Sequence, residues 1–308
     1  MSFDLKKYLV IGISSRALFD LTESDHIFQS QGLKAYEEHQ IAMEHQTLEP
    51  GAGFPLVKSI LRLNGEVPEE RKIEVVIMSK NSAETSLRIF NSIQDHNLDI
   101  TRAALTGGAP LAPYIHAFSV DLFLSLDPHD VQTVVNNGTA SALLFAKPKN
   151  PIEDLIDQIR IAFDGDAVLF SDESEKIYQE KGIDAFIEHE KLNACKPLPE
   201  GPFAKLAKTL SYLQSKYPAE NCPIRTALVT ARNSPTHERV IRTLKTWGVD
   251  INEAFFLGGM PKVDILKAFR PHIFFDDQKK HCDLASGSIA TGHVPYVQSA
   301  GNVSGKPT

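Results

Sequence analysis

IRIAFDGDAVLFSDESE, residues 159–175, decides how the rest of the chain is read. An apolar, β-branched run from Ile159 to Phe163 stops at Asp164 and Asp166, with Gly165 between them. That pattern predicts a buried strand carrying acidic side chains past its C-terminal end. In open α/β sheets, ligands bind at the carboxyl ends of strands. If the strand continues, alternation turns Asp164 and Asp166 to one face. Two carboxylates held together need a cation, a shared proton or a hydrogen-bond network, and Mg²⁺ is the simplest such cation. The bland alternative is an exposed acidic turn. The rest of the chain weighs against it.

The 308 residues are 42% hydrophobic and 23% charged, which is a globular balance with room for two ordinary domains. A net charge of −7 gives no reason to expect a nucleic-acid polymer or an anionic membrane as partner. No apolar run reaches transmembrane length. Cys195, Cys222 and Cys282 are odd in number and form no C-x-x-C pair. They read as reduced thiols, and the expected location is cytoplasmic.

The predicted strands are 8–13, 73–78, 102–105, 120–124 and 140–145, then 159–163, 225–229, 254–257, 272–275 and 293–297. Helices are expected near 23–40, 54–64, 82–96, 110–118 and 128–136, and again near 174–190 and 202–216. KPKNPIED, 147–154, reads as a linker.

The second half repeats the first. TESDHIFQSQGLKAYEEH (22–39) lies over DESEKIYQEKGIDAFIEH (172–189) at an offset of 150. SKNS at 79–82 falls over ARNS at 231–234, and Gly107-Gly108 over Gly258-Gly259. The expected architecture is two related α/β units from an internal duplication, 1–150 and 151–308. In this comparison Asp164 and Asp166 fall over Ser14 and Arg16, Thr230 over Met78, Lys262 over Leu111, and Asp276-Asp277 near Ser125-Leu126. The second copy is therefore expected to be catalytic and the first degenerate. Parallel strands would gather Asp164, Thr230, Lys262 and Asp276 on one sheet edge.

The order D-x-D, strand-Thr, Lys, strand-DD resembles the haloacid dehalogenase superfamily of phosphatases over about residues 155–300. SSRALFDL (14–21), FDGDAVLFSDESE (163–175), NCPIRTALVTARN (221–233) and RPHIFFDDQ (270–278) are similar to the cytosolic 5′-nucleotidase type I family almost throughout. The resemblance implies Rossmann-like units of haloacid-dehalogenase type and a Mg²⁺-dependent 5′-nucleotidase acting on AMP and deoxynucleoside monophosphates. Asp164 would be the nucleophile, forming an aspartyl-phosphate. Asp166 would serve as acid and then base, tuned by a neighbouring carboxylate. Mg²⁺ would sit between the Asp164 carboxylate, the Asp166 carbonyl, Asp276 and Asp277. Gly165, Thr230, Ala231 and Lys262 would hold the phosphoryl group.

Asp164 and Thr230 lie 66 residues apart, where a direct crossover takes roughly 30. In the resemblance the surplus, about 172–220, is a helical cap over the site. Tyr178, Phe186 and Phe203 are its aromatics available to stack on a base, though their helical spacing favours packing within the cap. Arg232 and Asn233 are candidates for phosphate or ribose contact. His281 and His293 read as structural. In the first copy, Lys80, Asn81, Thr106, Gly107 and Gly108 are the expected place for the phosphate of a regulatory nucleotide. A homo-oligomer is allowed for. The competing functions are a phosphatase for another small phosphoester, a nucleotide-sugar enzyme built on D-x-D, and a non-catalytic nucleotide sensor.

Overall fold

The computed structural model describes residues 4–65, 72–145, 147–148 and 158–298. Ten strands form one sheet: β1 (Leu9–Ile13), β2 (Ile73–Ser79), β3 (Arg102–Leu105), β4 (Leu122–Ser125), β5 (Ala140–Leu144), β6 (Ile159–Phe163), β7 (Ile224–Thr230), β8 (Glu253–Phe256), β9 (Ile273–Asp276) and β10 (Thr291–His293). Their order is β3-β2-β1-β4-β5-β10-β9-β6-β7-β8. Every neighbouring pair is parallel except β5 and β10, which are antiparallel. Each half thus has the doubly wound order 3-2-1-4-5, and the two halves run in opposite directions. Their strand C-termini lie on opposite edges of one sheet.

The strands read as unbroken apolar runs because both faces are covered. Leu9, Ile11 and Ile13 of β1 join Ile159, Ile161 and Phe163 of β6 in one apolar layer spanning both halves. The alternate residues, Val10 in β1 and Ala162 in β6, enter two separate clusters on the other face. The units expected as neighbours therefore share a sheet and a core. The predicted linker and unit boundary fall largely outside the described residues.

Helix ends follow local chemistry. Asp127 caps Pro128–Asn136 by accepting from His129 N and Asp130 N, with Pro128 at the first helical position. The helix expected near 23–40 is two helices, Thr22–Gln31 and Leu33–Ala42, hinged at Gly32 with φ +84°. The helix Glu173–Leu192 bends in the same way at Gly182, φ +82°. The final strand stops at His293 rather than reaching 297, because Pro295 has no N–H for the ladder.

The register corrects one alignment. Ile13 pairs with Ile77, and Phe163 pairs with Leu228. Thr230 therefore corresponds to Ser79, not Met78, and Arg232 to Asn81. Equivalent backbone bonds agree: Thr106 N donates to Ser79 O, and Leu257 N to Thr230 O. The offset is 150 at Gly32 and Gly182 and 151 at β2 and β7.

Candidate active site

β6 ends at Phe163, and Asp164 N donates to Phe275 O at 2.8 Å, tying the strand's exit to β9. The chain then coils through Gly165–Leu169, with Ala167 at φ +60°. The strand does not continue, so alternation does not govern Asp164 and Asp166. The two carboxylates part, one toward β9 and the other toward the loop after β7.

Asp164 meets Lys262, whose Nζ lies 2.7 Å from Asp164 Oδ1 and 2.7 Å from Asp276 Oδ2. Lys262 stands just before the helix Val263–Phe269, and Asp276 ends β9. Carboxylate oxygens of Asp164, Asp276 and Asp277 lie within 4.8 Å of one another. Thr230 ends β7 beside Gly165, where a Cβ would come within 3.3 Å of Thr230 Oγ1. Asp164, Thr230, Lys262, Asp276 and Asp277 are all buried. The topology thus brings the strand-end set together.

Three carboxylates face one ammonium, and the imbalance shows in their protonation. Burial pushes the Asp164 pKa up to about 6, with the Asp276 charge adding to it and Lys262 opposing. Burial and the Asp164 charge push Asp277 up to about 8. For Asp276, burial is outweighed by the hydrogen bond from His281 and the charge of Lys262, which hold its pKa below the usual carboxylate range. Asp277 Oδ2 accepts from Tyr296 Oη, while its shielded Oδ1 has no partner among the described residues. An oxygen-only set with a spare buried oxygen and excess negative charge fits a hard cation such as Mg²⁺. Asp164, Asp276 and Asp277 are the side chains that could hold it. His281 Nδ1 is 3.2 Å from Asp276 Oδ2, and His293 Nε2 is 2.9 Å from the Asp277 carbonyl. Both histidines border the set.

The Asp166 carboxylate stands outside this set. Arg232 Nε and Nη2 grip its two oxygens at 2.7 and 2.6 Å. The neighbour expected to tune Asp166 was a carboxylate; its closest partner is a guanidinium. Arg232 is buried. Its Nη1 donates to the fully buried Glu190, which also receives Arg239 Nη1 at 2.9 Å and Ser174 Oγ at 2.9 Å. The sequence reading missed Glu190 and Arg239. Asn233 is exposed beside Gly258, and Ala231 is exposed at the turn after β7.

The bent helix Glu173–Leu192 carries Glu190 toward Arg232, and Phe186 lies 5.2 Å from the Arg232 guanidinium. Tyr178 is half exposed and meets Phe186 edge-on at 6.3 Å. Phe203, expected on the cap, is wholly buried against Phe275 at 4.8 Å, in the apolar layer shared by both halves. The helix Ala204–Gln214 likewise packs Leu206, Leu210 and Leu213 into the shared core.

In the first half, the phosphate cradle expected at Lys80, Asn81 and Thr106–Gly108 has its donors already committed. Thr106 N, Gly107 N and Gly108 N donate to the carbonyls of Ser79, Asn81 and Lys80. Lys80 Nζ lies 3.0 Å from Asp127 and 2.8 Å from Asp130.

Comparison with known proteins adds a family. The 5′-nucleotidase family model matches residues 1–301. The chain is 41% identical over 297 residues to human (Homo sapiens) cytosolic 5′-nucleotidase 1B, covering 92% of this chain and 48% of that relative. It spans about half the length of the curated relative it matches. No solved structure gives a significant match.

Proposed function

The chain belongs to the 5′-nucleotidase family, and from that premise we propose that it hydrolyses nucleoside 5′-monophosphates, AMP and deoxynucleoside monophosphates among them, at the Asp164 site. The observation that carries this reading is Asp164 at the end of β6, 2.7 Å from Lys262 and grouped with Asp276 and Asp277.

In this reading an Asp164 oxygen attacks phosphorus, the bond to the nucleoside O5′ breaks, and an aspartyl-phosphate forms. Lys262 and the Thr230 hydroxyl hold charge on the equatorial phosphoryl oxygens. Asp166 delivers a proton to O5′, then takes one from the water that attacks phosphorus and frees Asp164. That role requires Asp166 to turn out of the Arg232 fork, and Arg232 thereby becomes available to the substrate. Mg²⁺ held by Asp164, Asp276 and Asp277 would neutralise phosphoryl charge.

The two halves are read as copies of one unit. The second works beneath its bent helix, which serves as a cap. The first lacks the carboxylates, with Ser14, Arg16, Ser125 and Leu126 in their places. A cytosolic location is part of the proposal; among the described residues no helix is long and apolar enough to cross a membrane. Phosphate release from a panel of monophosphates, with Mg²⁺ and with EDTA, tests the reading. Release from nucleoside monophosphates that stops with EDTA is expected. Equal release from sugar phosphates would favour a general phosphatase, and no release from any would end the proposal.

A further inference from the structure

A cavity of about 490 Å³ lies at the C-terminal edge of the first-half strands, on the opposite sheet edge from the carboxylate set. It occupies the place that the active site occupies in the second half. At the positions where the second half has the buried Arg232, Lys262 and Asp164, the first half has Asn81, Leu111 and Ser14. Its volume is in the range of small-molecule sites, which are mostly apolar with a few polar groups.

The lining specifies the chemistry of an occupant. Two cations, Arg16 and Lys80, face four carboxylates, Asp25, Glu37, Asp127 and Asp130. Arg16 is paired to Asp25 at 2.8 Å, and Lys80 to Asp127 and Asp130. The glycine-turn N–H groups are spent on carbonyls. A phosphate would meet net negative charge and no uncommitted cation. Flat apolar matter is better provided for. Phe28 and Tyr36 meet edge-on at 5.9 Å on the bent helix pair, as Tyr178 and Phe186 do in the second half. Asn81 Nδ2 is shielded and makes no hydrogen bond of ordinary length among the described residues.

We propose that this first-half cavity binds an uncharged nucleoside, without its phosphate, as a site separate from the catalytic one. The aromatic pair holds the base, and Asn81 with the carboxylates takes polar edges and hydroxyls. The nucleoside class rests on the proposed function, whose product is a nucleoside; the cavity and its charge balance do not.

Isothermal titration calorimetry of the whole chain tests this, with adenosine and inorganic phosphate as titrants. Arg16→Asp with Asn81→Arg rebuilds the second-half plug, a pair the chain already folds around. Phe28→Ala removes an exposed wall and leaves the core intact. Adenosine binding is expected in the parent and weakened tenfold or more by each variant, with AMP turnover changed less than twofold in Phe28→Ala. Phosphate binding should not respond to either variant. Three results would each overturn the proposal: no adenosine binding up to millimolar concentration, adenosine binding indifferent to both variants, or phosphate binding abolished by the plug. Calorimetry needs no turnover, so failure of the nucleotidase reading would be seen separately, as absent phosphate release from a chain that still binds adenosine.

Discussion

At the scale of single residues, the site is an imbalance of charge held in place by geometry. Lys262 is one cation among three buried carboxylates. Lys262→Met should lower kcat by roughly 10²–10³-fold, the usual loss for a preorganised charge donor, with a smaller change in KM. The raised pKa values of Asp164 and Asp277, about 6 and 8, make cation binding compete with protons. Mg²⁺ affinity should therefore rise from pH 5 to pH 8, measured by calorimetry. At 100 times its Kd, Mg²⁺ should stabilise the fold by about 2.7 kcal/mol, a gain that Asp277→Asn should cut. Glu190 is the residue whose loss should be felt most in stability. It is wholly buried between Arg232 and Arg239. Glu190→Gln leaves those guanidiniums under-compensated, and breaking such a buried pair costs about 3–5 kcal/mol. A lower urea midpoint is the readout.

The strand-end aspartates were legible because acidic residues directly after apolar runs stand out at sheet edges, and Lys262 because it follows Pro261 at a helix start. Glu190 was not. It sits in EHEKL, residues 188–192, among charged neighbours that look like a solvated helix face. Only tertiary packing buries it. A signal was nonetheless present, since laying one half over the other sets Glu190 over Gln40 and Arg239 over Arg88, all four buried. Phe203 is not legible for the same reason: an aromatic before a helix can face either a cap or a core, and local pattern does not distinguish them.

At the scale of elements, the bent helix Glu173–Leu192 brings Glu190 against Arg232 beside the carboxylate set. Its bend depends on Gly182 at φ +82°, ψ −178°, a region where a Cβ is strained. Gly182→Ala should destabilise by about 1–3 kcal/mol. Because the strain falls on the helix proposed as a cap and not on β6 or β9, KM for AMP should rise more than kcat falls. Steady-state kinetics across a substrate series separates the two. Most strands and helices were readable from periodicity. The helix expected near 23–40 has an apolar spacing that runs through Gly32, and only the glycine's positive φ reveals the hinge. The slip that set Thr230 over Met78 came from a one-residue length change between the halves, which strand pairing resolves and letter matching does not.

At the scale of the whole molecule, ten strands and one shared apolar layer make the halves a single cooperative body. Unfolding should be one transition by circular dichroism and by Trp247 fluorescence alike. Acid should weaken it through His272, whose pKa burial pushes down to about 4. In the unfolded chain that imidazole titrates near 6.5. Between those values the unfolded state binds a proton that the native state refuses, so stability is full above about pH 6.5 and falls as pH drops toward 4. The loss is about 3 kcal/mol at most, and His272→Gln should flatten it in urea titrations across that window. The antiparallel join of β5 to β10 was not legible, since it rests on which edges meet and no local pattern encodes that. Its consequence, two sites facing opposite ways, is what separates the carboxylate set from the first-half cavity.

The role of Asp164 is tested most directly by trapping. The chain is mixed with Mg²⁺ and [5′-³²P]AMP, quenched in acid within one turnover, and the labelled peptide is mapped. A hydroxylamine-sensitive label on Asp164, absent from Asp164→Asn along with turnover, is the expected result. Steady phosphate release by the Asp164→Asn variant, or a label carried on another residue, would contradict it.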